Sequence, residues 1–200
     1  MSTSPRGRLD RRPPSSLDPQ ARALYDRLTE GPRAGGPFPL VDAGGALEGP
    51  FNAMLLSPAV GTALQELGAT LRYGTRLPDR AREIAILVVA AHWDSAFEQH
   101  AHEAVGRRIG LTGDELRALR RRDPLDLADP VEAEVLAVTR ALTEHGDLDD
   151  DAYARAVTVL GEPALFELTT LVGYYATLAL QLRLFRVAAP DDPGGAASAR

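Results

Sequence analysis

From residue 17 onward, apolar positions recur at the three- and four-residue intervals of helices, and no stretch shows the strict alternation of a strand. Asp18 followed by Pro19 predicts a helix start, and the pattern runs to Glu30. Ser57-Pro58 opens a second helix that reaches about Tyr73, and Pro78-Asp79 opens a third. Within the third, Ile84 to Ala91 is apolar on every side, as expected of a central, buried helix. A break near Trp93-Asp94 leads into a fourth helix, Ser95 to Ile109, stopped by Gly110. Thr112 and Glu115 have capping-box spacing and start a short helix to about Arg121. Asp129-Pro130 begins the next, to Glu144, with Gly146 beyond it. Asp150 to Leu160 follows, closed by Gly161, and Pro163 to about Val187 is the last. The reading is an all-α domain built from helical hairpins.

The ends lack this periodicity. Residues 1–16, rich in Arg, Pro and Ser, read as a flexible arm, and residues 189–200 as a flexible tail. Residues 17–188 then form a single domain, the number expected for a 200-residue chain at about 150 residues per domain. Residues 31–50 hold six Gly and four Pro and predict a long loop, of a length that often serves function or wraps a partner subunit.

Charge narrows the choice of partners. The formal net charge of −6 does not indicate a nucleic-acid surface. The clusters Arg6, Arg8, Arg11, Arg12 and Arg120, Arg121, Arg122 read as solvated surface or tail, and Asp147 to Asp151 as a turn and helix start. No stretch approaches the roughly 20 apolar residues of a membrane span. No apolar run follows the N-terminal arginines, as a secretory signal requires. The expected location is the cytoplasm. The chain has no cysteine, which removes disulfides, thiolate metal sites and cysteine nucleophiles together.

The fourth helix carries the most chemistry. At about 100° per residue, Ser95, Glu98, His102, Val105 and Ile109 share one stripe, while His100, Glu103 and Arg107 point elsewhere. Glu98 and His102 therefore lie on the core-facing side, at the i, i+4 spacing where side chains touch. A buried carboxylate or imidazole costs several kcal/mol unless it is paired or shifts its pKa. The pair reads either as an internal contact orienting the helix or as an acid/base couple in a pocket. Glu83 precedes the apolar run of the third helix and can approach the same pocket; otherwise it forms a surface ion pair with Arg80 or Arg82. His92 and Trp93, at the helix break, are candidates for lining the pocket. The last helix carries a polar stripe of Glu167, Thr170, Tyr174, Thr177 and Gln181, in which Tyr174 or Tyr175 can present a phenol.

These residues carry a resemblance. Leu55-Leu-Ser-Pro-Ala-Val60, the run Arg80-Ala-Arg-Glu-Ile-Ala-Ile-Leu-Val-Val-Ala-Ala91, Glu98-x3-His102, Gly110-Leu-Thr112 with Glu115, and Leu171-Val-Gly-Tyr-Tyr175 resemble the carboxymuconolactone decarboxylase family, which includes the alkylhydroperoxidase D-like proteins. The likeness covers roughly residues 50–187. It implies the alkylhydroperoxidase D-like helical bundle and a homo-oligomer, trimer or hexamer; the 31–50 loop is long enough to embrace a neighbour in such an assembly. In the family's peroxidase branch a Glu precedes Cys-x-x-Cys, and a His follows four residues after the second Cys. On this chain the Glu is Glu83 and the His is His102, while Ser95 and Glu98 occupy the cysteine positions. Thiol peroxidase chemistry is thereby disfavoured. The decarboxylase branch has a Glu and a His at the spacing of Glu98 and His102, but its members are shorter, and this chain also keeps Glu83.

The expected function is cofactor-independent acid/base catalysis on a small carbonyl, lactone or carboxylic acid compound, as a decarboxylase, lyase or isomerase. His102 is the acid/base, Glu98 its orienting partner and Glu83 a supporting catalytic group, with Ser95, His92, Trp93, Tyr174 and Tyr175 binding substrate. Imidazole suits the proton step because it titrates near neutrality. No cofactor, metal, nucleic acid or membrane is expected. Two other readings are a non-catalytic small-molecule-binding or structural homo-oligomer, and a metal enzyme with Glu83, His92, Glu98 and His102 as ligands.

Overall fold

The computed structural model describes residues 7–31 and 39–189. Residues 1–6, 32–38 and 190–200, which belong to the expected arm, loop and tail, lie outside the described residues. Among those described there are nine α-helices and no strand: α1 Pro19–Glu30, α2 Phe51–Met54, α3 Pro58–Tyr73, α4 Asp79–His92, α5 Ala96–Arg108, α6 Gly113–Arg121, α7 Pro130–His145, α8 Asp150–Leu160 and α9 Glu162–Leu184. The all-α expectation is met helix by helix, with two differences. α2 is an additional turn of helix just before Ser57. α9 ends at Leu184 rather than Val187, and Arg186 then takes a positive φ of 53°.

The caps form for the reasons read in the sequence. The Asp18 carboxylate accepts from Gln20 N and Ala21 N, and that of Asp129 from Val131 N and Glu132 N. Thr112 and Glu115 complete a reciprocal capping box at α6. Gly146 follows α7 with φ 75°, where a residue without Cβ is unstrained.

The described residues form two compact units, one of residues up to 67 together with those from 180 onward, the other of residues 68–179. In the first, Tyr25 of α1 donates to Gly45 O (2.7 Å), and Val41 bridges Leu47. The described part of the 31–50 loop thus folds onto its own unit, burying Leu47 completely. Residues 7–16, read as a flexible arm, are tied down here. Arg8 N donates to Phe185 O (2.8 Å), Arg11 pairs with Asp42 and Glu48, and Arg12 N donates to Asn52 Oδ1 (3.2 Å). The Arg8 and Arg11 side chains are therefore partnered, Arg8 with Leu184 O and Arg11 with its two carboxylates, rather than simply solvated.

In the second unit α4 is the central helix, packed against α5, α6 and α7. Its residues Ile84 to Ala90 are all buried. Ile84, Leu87 and Val88 meet Leu111, Leu116, Leu119, Leu127 and Leu136 in one core cluster. Each such side chain removed from water contributes about 1.5–3 kcal/mol. Arg120 is exposed, as the sequence reading has it, and also donates through Nε to the buried Glu103 (2.7 Å). The stripe on α9 is also not a single polar face: Tyr174 is buried, while Glu167 accepts from Arg76 N (2.7 Å).

Candidate functional site

α4 and α5 form a hairpin around Trp93-Asp94-Ser95. Asp94 adopts φ 49°, a left-handed conformation tolerated by Asp better than by most residues. Ser95 N returns to Ala90 O (2.9 Å), closing the turn. Ser95 is the N-cap position of α5, yet its hydroxyl caps nothing.

The hairpin brings Glu83, in the second turn of α4, against His102 of α5. His102 Nδ1 lies 2.6 Å from Glu83 Oε2, and both residues are buried, at 6% and 2% exposure. Glu83 is thus not in the surface ion pair with Arg80 or Arg82 that the sequence allowed. Arg80 binds Glu132 and Glu115, and Arg82 binds Asp79. Burial pushes the Glu83 carboxyl up, but His102, with Arg72 and Arg82 behind it, outweighs this and holds the pKa below the ordinary value. Glu83 is therefore an anion at neutral pH.

Arg72, near the end of α3, is half-buried, and sequence reasoning missed it. Burial opposes its charge, yet Tyr175, Glu83 and Tyr73 raise its pKa further, and Tyr175 is hydrogen-bonded to it. Tyr175 of α9 also stands edge-on to the His102 ring, centroids 5.1 Å apart, and Tyr174 stands edge-on to Tyr175. Arg72, Glu83, His102 and Tyr175 thus form one connected group from four helices. A single arginine at the end of an amphipathic helix gives no sequence signal of this role. A cavity of about 440 Å³, lined by Arg72, Tyr73, Leu77, Arg82, Val105 and others, reaches Glu83.

Glu98 departs from expectation. It is 3% exposed and shares a helix face with His102, but neither carboxylate oxygen has a hydrogen-bond partner, so it is not the residue that orients His102. Glu83 takes that place, because tertiary packing across the hairpin presents a better acceptor than the helix neighbour. Burial pushes the Glu98 pKa up to about 8. The nearby Ser95 hydroxyl lowers it somewhat, though Ser95 Oγ forms no geometric hydrogen bond and is itself buried without a partner. Glu98 is mostly a neutral acid at pH 7.

His92 and Trp93 sit at the turn, their rings edge to face with centroids 5.7 Å apart. His92 lines a different cavity from the one that reaches Glu83, so the structure does not join it to the Glu83–His102 pair. Among the described residues no three His, Asp or Glu side chains converge as a metal-ligand set, so the ligand set Glu83, His92, Glu98 and His102 is not assembled.

The model of the carboxymuconolactone decarboxylase family matches residues 58–141, which include the whole α4–α5 hairpin. Over these residues the chain is similar to that family. Its fold is that of the alkylhydroperoxidase D-like proteins, as solved structures of low sequence identity show. An uncharacterised peroxidase-related protein from Ralstonia eutropha superposes with a TM-score of 0.74 at 11% identity, covering 94% of this chain and 95% of that one. An alkylhydroperoxidase D-like protein of unknown function from Agrobacterium tumefaciens gives 0.62 at 20% identity, over 72% of this chain and 99% of its own. A debrominase, solved as a cysteine-to-alanine variant with 2,3,4-tribromopyrrole, gives 0.63 at 14% identity, over 86% and 87%. No curated protein matches the chain. The fold therefore accommodates more than one chemistry. Among the described residues no single helix is long and apolar enough to cross a membrane.

Proposed function

We propose that this protein is a cofactor-independent acid/base enzyme, a decarboxylase, lyase or isomerase, acting on a small carbonyl, lactone or carboxylic acid compound. The observation that carries this reading is the buried 2.6 Å contact between His102 Nδ1 and Glu83 Oε2. An ionised Glu83 keeps the proton on Nδ1, which leaves Nε2 with a lone pair able to take a proton from carbon. Glu98 begins from the opposite state, protonated, and can donate to a carbonyl oxygen as enolate charge develops. Two carboxyl groups driven apart in pKa by their surroundings supply an acid and a base on one scaffold. In an isomerisation, Nε2 removes a proton beside the carbonyl and returns it at another carbon. In a decarboxylation, Nε2 takes the proton of the substrate's carboxylic acid, carbon dioxide leaves with its bond electrons in the substrate, and the resulting dienolate is protonated by that imidazolium or by Glu98. The absence of any cysteine, including at Ser95 and Glu98, supports proton transfer over thiol redox chemistry.

The reading includes a homo-oligomer, as family resemblance implies, and a cytoplasmic location. Incubation of the full chain in deuterium oxide with a set of β-keto acids and unsaturated γ-lactone acids tests the chemistry by NMR. Deuterium incorporation or loss of carbon dioxide with the wild type, absent in His102→Gln, is the expected result. Equal incorporation in the two proteins overturns the assignment of His102. No turnover of any compound, with ligands bound and released unchanged, favours the non-catalytic binding reading.

A further inference from the structure

A second cavity, of about 200 Å³, opens in the same unit between the end of α4, the end of α6 and the last turns of α7. Its apolar lining is Val88 and Leu119, which are 7% and 1% exposed. Arg122, Arg140 and Glu144 supply charge, and His92 and Thr143 complete the lining. Arg122 is the residue that closes α6, with φ 61°, and its guanidinium is bound to Glu144 Oε1 at 2.9 Å. Arg140 donates only to a backbone oxygen, Asp123 O at 2.6 Å, and has no carboxylate partner among the described residues. Thr143 spends its proton on Thr139 O and Arg140 O. The cavity lining thus holds two guanidiniums against one carboxylate, together with two apolar side chains.

We propose that this cleft binds a small monocarboxylate with a flat apolar body, at a site separate from the Glu83–His102 pair. Arg140 receives the carboxylate, since a guanidinium presents paired donors that match its two oxygens. Arg122, already neutralised by Glu144, stands beside it. The apolar body covers Val88 and Leu119. A single negative charge balances the excess cation of the lining, whereas a dianion leaves unpaired charge against Glu144. The volume admits a ligand of one ring rather than a drug-sized molecule. Nothing in the acid/base reading uses this cleft.

The experiment is a titration of the ¹⁵N-labelled full chain with benzoate, with neutral benzamide and inorganic phosphate as separate arms, followed by amide shifts. Benzoate is expected to give saturable shifts at Val88, His92, Leu119 and Thr143, and benzamide none that saturate. Loss of a charged hydrogen bond corresponds to about a tenfold weaker Kd or more, the effect expected for Arg140→Gln. Arg108→Gln, an exposed charge change outside the cleft, is expected to keep the wild-type Kd. Retention of the unperturbed spectrum away from the cleft shows that Arg140→Gln is folded. No saturable benzoate shift at these amides, equal benzoate binding by Arg140→Gln, or saturation by phosphate alone overturns the proposal.

Discussion

His102 of α5 and Glu83 of α4 meet at 2.6 Å across the central hairpin, both shut off from solvent, with Arg72 and Tyr175 behind them. Removing one partner of a buried pair leaves the other charged and unpaired, which costs about 3–5 kcal/mol. His102→Ala is therefore expected to lose that much stability in urea unfolding at pH 7, and Glu83→Gln less, because the neutral amide still offers an oxygen to Nδ1. Equal stability of His102→Ala and wild type contradicts the pair's structural weight. In the turnover assay, Glu83→Gln is expected to retain substrate binding but lose about 10²–10⁴-fold in kcat, the range of general acid–base catalysis.

Glu98 gives a pH dependence of the opposite sign to an ordinary paired carboxylate. Its folded pKa is raised to about 8, so the folded chain holds a proton that the unfolded chain releases at a lower pH. The associated stability is complete below the unfolded value and falls as pH rises toward the folded pKa. A displacement of this size corresponds to a loss on the order of 4 kcal/mol between acid and mildly alkaline pH. Urea unfolding across roughly pH 5 to 9, the window set by linkage, is expected to show this decline in the wild type. Glu98→Gln cannot ionise and should lose the slope. An unchanged slope in the variant assigns the effect elsewhere.

Glu83 governs the acid limb. Its folded pKa lies below the ordinary carboxylate value, so its contribution is present above the unfolded pKa and disappears as pH falls through the folded one. Arg72 helps hold that pKa down. Arg72→Gln is expected to move the acid unfolding limb to higher pH, as read by circular dichroism. It should also lower kcat more than it alters KM if Arg72 positions Tyr175 and Glu83. A variant with an unmoved acid limb removes Arg72 from this group.

Asp94 sets the turn that delivers Ser95 and Glu98. Its φ of 49° is unfavourable for residues with a Cβ, and most of all for branched ones. Asp94→Val is expected to destabilise the chain by about 1–2 kcal/mol. Asp94→Gly should be neutral or slightly stabilising in the same thermal melts. The reverse order of the two variants contradicts the strain at this position.

Local chemistry determined a large part of this protein in advance. Asp18, Thr112, Asp129 and Gly146 mark their helix ends because caps satisfy nearby backbone groups, and Ile84 to Ala90 forms a buried helix because no face of it is polar. The stripe of Ser95, Glu98 and His102 was also readable, since helical periodicity alone places these residues on one face. The periodicity could not say which carboxylate His102 would meet. Glu98 is its neighbour at i, i+4, whereas Glu83 lies 19 residues away, and the choice rests on how α4 packs against α5. Nor could it find Arg72, whose meaning comes only from the approach of Tyr175 and Glu83, or separate His92 from the pair. Local hydrogen bonds and side-chain periodicity fix helices from neighbours in sequence. Ionisation in a buried site depends on charges and solvent exclusion from every direction, and only the tertiary structure decided those.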